Sequence, residues 1–248
     1  MKRFGLTSIV IPSYNGLHLL SSCVESIRLH TDAPYEIIVV DNGSSDGSVP
    51  YCLREGLTFI SLPENAGFPA ACNRGLSIAA GDHLLLLNND VKVSPRWLSN
   101  LLSALWSVSE VGMVGPVTNY ASGRQQVAIS AENDEDFYAI AEQFNRSDPA
   151  KWVEAQRLIG MCLLMKREVW SRVGGLDEIF SPGHYEDDDY SYRARQHGFK
   201  LLICGDTLVH HSGSASFKAG HPEGWDRLIE RNRRLFVDKW GVDPWEFI

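Results

Sequence analysis

In the first half of the chain, apolar positions fall in short unbroken runs, each followed by a polar stretch with helical spacing. TSIVIP (7–12), EIIVVD (36–41), LTFISLP (57–63), DHLLLLNND (82–90) and VGMVGPV (111–117) are runs of strand length bounded by turn residues. Such runs fit strands covered on both faces. After the first run, Leu19, Leu20, Cys23, Val24 and Ile27 recur at spacings of three and four, which predicts an amphipathic helix. Ser45 and Asp46 are placed to cap a short second helix. Gly81 is placed to end the helix within NAGFPAACNRGLSIAAG (65–81). Pro95 suits the start of the helix in PRWLSNLLSALWSV (95–108). This β-α-β-α order predicts an α/β fold with a mostly parallel sheet flanked by helices.

The pattern breaks over residues 119–150, a polar insert with one helix expected around 135–144. Irregular stretches of that length in a compact domain tend to be functional. RLIGMCLLMKREVWSRVGG (157–175) returns to a strand and a short helix. HYEDDDYSYRARQHG (184–198) reads as a helix, LLICG (201–205) and TLVHHS (207–212) as separate strand pieces, and 222–240 as a final helix rich in Arg, Trp and Leu.

Composition narrows the class. The chain has 248 residues, 44% hydrophobic and 22% charged, with a formal charge of −8. A balance this acidic argues against a nucleic-acid or anionic-membrane surface. No apolar run approaches the ~18 residues of a membrane span. The opening MKRFGLTSIVIPSYNG reads as a first strand rather than a signal peptide, because Pro12, Tyr14 and Asn15 cut its apolar run short. Five cysteines with no CxxC pair fit scattered reduced thiols in a cytoplasmic protein and speak against a zinc site.

Candidate chemistry gathers at strand ends. Ligands of open parallel sheets bind at the carboxyl ends of the strands, and these ends carry Pro12–Tyr14, Asp41–Asn42 and Asn88–Asp90. There is no GxGxxG after the first strand and no GxxxxGK[ST] loop, which speaks against a Rossmann dehydrogenase and a P-loop enzyme. A nucleotide diphosphate beside Asp90 would need a hard divalent cation, which takes carboxylate and phosphate oxygens together; the Asn88–Asn89–Asp90 turn then forms half of a metal cage. His210 and His211 end another apolar run, and neighbours on a strand point to opposite faces, so only one can serve the same site. Glu186, Asp187, Asp188 and Asp189 open a helix, where acids complement the helix dipole. That accounts for Asp188 and Asp189. It leaves Glu186 and Asp187, flanked by Tyr185, Tyr190 and Tyr192, as crowded carboxylates suited to general-base work.

TSIVIPSYNG, EIIVVDNGSSDGS, ENAGFPAACNRG, LLLLNND, GGLDEIFSPGHYEDDDYSYRARQHGF and HHSGSASF resemble, in this order, the motifs of inverting family-2 glycosyltransferases of the GT-A fold, in particular rhamnosyltransferase-like bacterial members. The resemblance spans about residues 5–217. It implies one GT-A domain over 1–248, with a Rossmann-like nucleotide-sugar-binding half (1–118) and a smaller acceptor-side half carrying the base (119–248). It also implies roles. Pro12 and Tyr14 line the nucleoside pocket, and Asp41 contacts the base, so UDP- or dTDP-sugars are the favoured donors. Gly67 and Phe68 begin the segment closing over the nucleotide, which includes Asn73, and Asn88 and Asn89 belong to its ribose or outer shell. Asp90 binds Mg2+ or Mn2+ with His211 as second ligand, or with His210 if the register slips by one. Asp187 is the general base and Glu186 orients it or the acceptor. Gly160, Met161 and Tyr185 are candidate acceptor contacts, chosen on position, as are the 119–150 insert and the aromatic tail. The acceptor is a glycan or a lipid-linked sugar. No QxxRW motif follows the base, so single additions are expected rather than polymer synthesis. The tail arginines and tryptophans read first as a C-terminal helix packed on the domain, with peripheral contact with the inner face of a membrane as the alternative. The alternatives are a catalytically inactive carbohydrate- or nucleotide-binding module, and a sugar nucleotidyltransferase. The latter carries a basic glycine-rich loop where this chain has IPSYNG.

Overall fold

A computed structural model describes residues 5–213 and 224–248. The expected strands are present as β1 (Thr7–Ser13), β2 (Tyr35–Asp41), β3 (Thr58–Ser61), β4 (His83–Leu87) and β6 (Val111–Thr118). Two more were not legible in the periodicity: the two-residue β5 (Val91–Lys92) and the short β7 (Trp152–Ala155). β8 (Cys162–Lys166) and β9 (Lys200–His211) complete the set. The two pieces expected at 201–205 and 207–212 are one continuous strand, β9, whose register against β6 shifts between Pro116 and Val117.

The sheet order is β3-β2-β1-β4-β8-β6-β9, with β7 and β5 also paired to β9. β3, β2, β1 and β4 run parallel. β8 lies antiparallel between β4 and β6, so the sheet is mixed but mostly parallel. Strand alternation feeds two cores. Ile9, Ile11, Val39, Leu85 and Leu87 face one cluster with α1 (Leu17–His30) and α4 (Trp97–Leu105). Val10, Ile38, Val40, Leu84 and Leu86 face the other, with α3 (Phe68–Ile78), α6 (Arg167–Val173) and α7 (Glu186–Gln196). This two-sided covering is why the strands read as continuous apolar runs.

Helix ends depart from expectation in instructive ways. Asp46 does not begin α2 (Ser48–Arg54) as its N-cap, a position Gly47 takes. Instead its carboxylate accepts the Ser48 N–H (3.1 Å) and the Leu17 N–H (2.7 Å), so it serves the first turns of both α2 and α1. α3 ends at Ile78, before Gly81. A Cβ on Gly81 would lie 2.6 Å from the Leu6 carbonyl oxygen, so that glycine allows close chain approach rather than stopping a helix. α4 begins two residues after Pro95, with Arg96 in the left-handed region before it. In the insert, α5 (Asp134–Phe144) buries Phe137 and Ala141 beside β9. The final helix α8 runs Trp225–Trp240; its expected start at Pro222, and the SASF part of the HHSGSASF motif, lie outside the described residues. No helix among the described residues is long and apolar enough to cross a membrane.

Candidate active site

A cavity of about 480 Å3 lies at the carboxyl ends of β1 and β4. Its walls include the ends of these strands (Pro12, Tyr14, Asn88, Asn89, Asp90), the segment before β8 (Ile159, Gly160, Met161), the loop before α7 (Pro182, His184), the first turn of α7 (Glu186, Asp187) and the end of β9 (His211).

β5 explains how residues far apart in sequence meet. Val91 pairs with His211 and Lys92 with His210, and the Ser212 N–H donates to the Asp90 carbonyl (3.0 Å). Nε2 of His211 then lies 3.3 Å from Oδ1 of Asp90. Beyond this contact neither buried atom has a hydrogen-bond partner. Nδ1 of His211 sits 2.8 Å from the Tyr120 carbonyl, an oxygen that can only accept, so Nδ1 carries a proton and, in the neutral ring that binds metal, the Nε2 lone pair faces Asp90. Burial pulls the His211 imidazole down, but the Asp90 carboxylate and the Tyr120 carbonyl outweigh it and hold the ring above its usual value. Two electron-rich buried atoms facing each other suit a divalent cation, with the outer nitrogen fixed by a backbone carbonyl as metal-bound histidines commonly are. Among the described residues no group of three or more His, Cys, Asp or Glu side chains assembles a fuller cage, so remaining positions would fall to water or to ligand oxygens. His210 points away: its ring stands 5.3 Å from that of Phe137, and burial lowers its pKa.

The four acids opening α7 separate into three directions. Asp187 lines the cavity; its Oδ2 accepts the Gly160 N–H (2.9 Å) and its Oδ1 accepts the Asp188 N–H (3.0 Å), which fixes the carboxylate plane. Glu186 lines it too, with Oε2 buried and unpaired. Burial, then the neighbouring Asp187, pushes Glu186 well above the usual carboxylate range. Asp188 turns to Arg157 (3.0 Å); burial and Asp187 raise it to about 8 against the pull of that guanidinium. Asp189, fully buried, binds Arg193, Lys239 and the Trp240 indole N–H. Asp188 and Asp189 are thus structural, as expected.

The family model described as glycosyl transferase family 2 matches residues 8–173, two thirds of the chain and most of the cavity wall. The chain belongs to glycosyl transferase family 2. Among curated relatives of this glycosyltransferase, it is 27% identical to the O-antigen biosynthesis protein RfbC of Myxococcus xanthus over 86% of its own length, but spans only 18% of that protein. It is 26% identical to an N-acetylglucosaminyl-diphospho-decaprenol L-rhamnosyltransferase of Mycobacterium tuberculosis, over 84% of this chain and 76% of that one. Among solved structures, GalNAc-T7 with UDP, GalNAc and Mn2+ superposes with a TM-score of 0.69 at 19% identity, covering 85% of this chain and 44% of that one. The fold is GT-A, as the motifs implied.

The glycosyltransferase brings together most, but not all, of the residues singled out in its sequence. Pro12, Tyr14, Asn88, Asn89, Asp90, Gly160, Met161, Glu186, Asp187 and His211 line one cavity. Asp41 does not. It is buried at the end of β2 beside Asn42, which does line it, with one carboxylate oxygen held by Ser61 and the Ser44 N–H and the other unpaired. Gly67 supports the wall: at φ +89° it lets Ser181 and Pro182 approach where a Cβ would collide. Asn73 pins α3 to the loop before α7 through the Leu176 backbone and Glu178. Tyr185 precedes α7 in the left-handed region and accepts a hydrogen bond from the Trp245 indole (3.3 Å) rather than facing the cavity. Of the insert, α5 packs away from the site. Asn42 and Phe68, noted in the sequence beside Asp41 and Gly67, line the cavity, as do Asn65, Ile159 and His184, which were not singled out. Asn42 had a signal, its place after Asp41 at a strand end; Ile159 and His184 had none beyond adjacency to chosen residues.

Proposed function

We propose that this glycosyltransferase inverts the anomeric centre of a nucleoside-diphosphate sugar, UDP- or dTDP-linked, while transferring the sugar to a hydroxyl of a glycan or lipid-linked acceptor, in bacterial surface polysaccharide synthesis. The observation that carries this reading is the placement of Asp187 in the same cavity as the Asp90–His211 pair. Residues 1–118 supply the nucleotide side and 119–248 the base. The relatives named for O-antigen biosynthesis and rhamnosyl transfer support the choice of pathway class.

Asp187 takes the proton of the acceptor hydroxyl as its oxygen bonds to the anomeric carbon. The bond from that carbon to the diphosphate oxygen breaks on the opposite face. The backbone N–H groups of Gly160 and Asp188 hold the carboxylate in one plane through this transfer, and a positioned general base contributes about 10²–10⁴-fold. Glu186, whose carboxyl burial and the neighbouring Asp187 push above the usual range, lines the same cavity and orients Asp187 or the acceptor. Asp90 and His211 would hold Mg2+ or Mn2+, which when bound neutralises charge on the departing diphosphate; GalNAc-T7 was solved with Mn2+. Pro12, Tyr14, Asn88 and Asn89 bracket the nucleoside, with Asn42 rather than the buried Asp41 facing the cavity beside them.

The test is a panel of nucleotide sugars incubated with the protein and Mn2+. Slow release of free nucleoside diphosphate from a UDP- or dTDP-sugar is expected, because water replaces the acceptor. No release from any donor, together with no metal-dependent nucleotide binding, contradicts the reading and favours a binding module.

A further inference from the structure

A second cavity, of about 200 Å3, adjoins the first. Ile159 contributes to the walls of both, and the next residue, Gly160, is the one whose N–H holds Asp187. The two spaces thus share Ile159, next to the residue that holds the base. The small cavity is walled by the first turn of the insert (Ser122, Arg124), by the stretch after β7 (Gln156, Arg157) and by the C-terminal turn with Glu246. These side chains offer both donors and acceptors. They carry no surplus positive charge: Arg157 is already paired with Asp188, and Glu154 and Glu246 stand in the wall with Arg124. This balance favours a neutral polyhydroxyl ring, which finds mixed partners, over a phosphate. The volume falls below the roughly 300–1,000 Å3 of pockets for larger ligands and suits a single ring. One residue before Glu246, Trp245 is 60% exposed, with Arg233 over its ring at 4.6 Å and its N–H given to Tyr185. A fixed, exposed indole in the same turn is a surface on which a sugar ring can stack.

We infer that the small cavity is an acceptor subsite for a neutral sugar ring adjacent to the one that carries the attacking hydroxyl. The acceptor is therefore a glycan of at least two rings: one over Asp187, the next beyond Ile159. This rests on the reading of Asp187 as the base.

The experiment uses the full chain with the donor that the nucleotide-sugar panel shows to be hydrolysed. Aryl monosaccharides and the matching aryl disaccharides of glucose, galactose, N-acetylglucosamine and rhamnose serve as acceptors. At least one disaccharide should exceed its monosaccharide in kcat/KM by about tenfold, the worth of one or two hydrogen bonds. Arg124→Ala removes a partner from the subsite, and Gln156→Trp fills it. Both positions are solvent-exposed, so the fold should tolerate the changes. Each variant should lose the disaccharide advantage, with hydrolysis of the donor unchanged. If no disaccharide outperforms its monosaccharide, or if the variants lower transfer to both alike, the subsite is overturned. Absence of donor hydrolysis in the unmodified protein would instead sink the proposed reaction, and so separates the two failures.

Discussion

At the scale of single residues, the account turns on which acid does what. Asp187→Asn keeps the side chain's shape and removes its basicity. Its expected effect is a loss of turnover of about 10²–10⁴-fold, with nucleotide affinity nearly unchanged; parallel kinetics and binding titrations check this. The sequence made four adjacent acids visible but not their directions, since those depend on what surrounds the helix: Gly160 for Asp187, Arg157 for Asp188 and Lys239 for Asp189. The pairing of Asp90 with His211 was legible only through resemblance. The bridge that creates it, β5, is two residues long and leaves no periodicity to read. Asp41 and Asn73 show the converse: polar residues at strand ends and in motifs drew attention, yet the structure has Asn73 holding backbone and keeps Asp41 just behind the cavity wall.

At the scale of elements, the cavity depends on helices that do no chemistry. Asn232, fully buried on α8, donates from one amide nitrogen to the carbonyls of Phe180, Gly183 and His184. The loop it grips carries Pro182 and His184 into the cavity wall. Asn232→Ala leaves these carbonyls unpaired and should cost roughly 1–3 kcal/mol, seen as a lower midpoint in chemical denaturation, with a weakened apparent nucleotide affinity. Next to this loop, α3 approaches the sheet through Gly75, where an added Cβ would lie 2.3 Å from Val10 Cγ1 and 2.9 Å from Val40 Cγ2. Gly75→Ala should therefore destabilise by about 1–3 kcal/mol through overpacking, measured by the same denaturation. Strands were readable from sequence because both of their faces are covered. Helix limits were less so, because α3 and α4 end and begin by backbone geometry rather than by the glycine or proline nearby.

At the scale of the whole molecule, a buried acid cluster gives an unusual pH response. Glu186 and Asp188 have folded pKa values raised above those of the unfolded chain, which lie near ~4. Between that value and about 8, where Asp188 loses its proton, the folded state holds more protons than the unfolded one. Stability should therefore fall as pH rises through this window. His211, also raised, acts in the same sense: its stabilisation is present below the unfolded value and lost as pH climbs through the folded one. Denaturation midpoints at pH 5 and pH 8 test this; a lower midpoint at pH 8, flattened by Glu186→Gln, is expected. The formal charge of −8 is plain in the composition, but nothing there indicates how much of that charge is neutralised inside the fold.

The measurement closest to the heart of the account is calorimetric titration of UDP and dTDP into the protein, Asp90→Ala and Asp187→Asn, each with Mn2+ and with EDTA. Binding that requires Mn2+ in the unmodified protein, disappears in Asp90→Ala and persists in Asp187→Asn is the predicted result. Binding of equal strength in EDTA, or its loss in Asp187→Asn, would contradict a cation held between Asp90 and His211 beside a separate base.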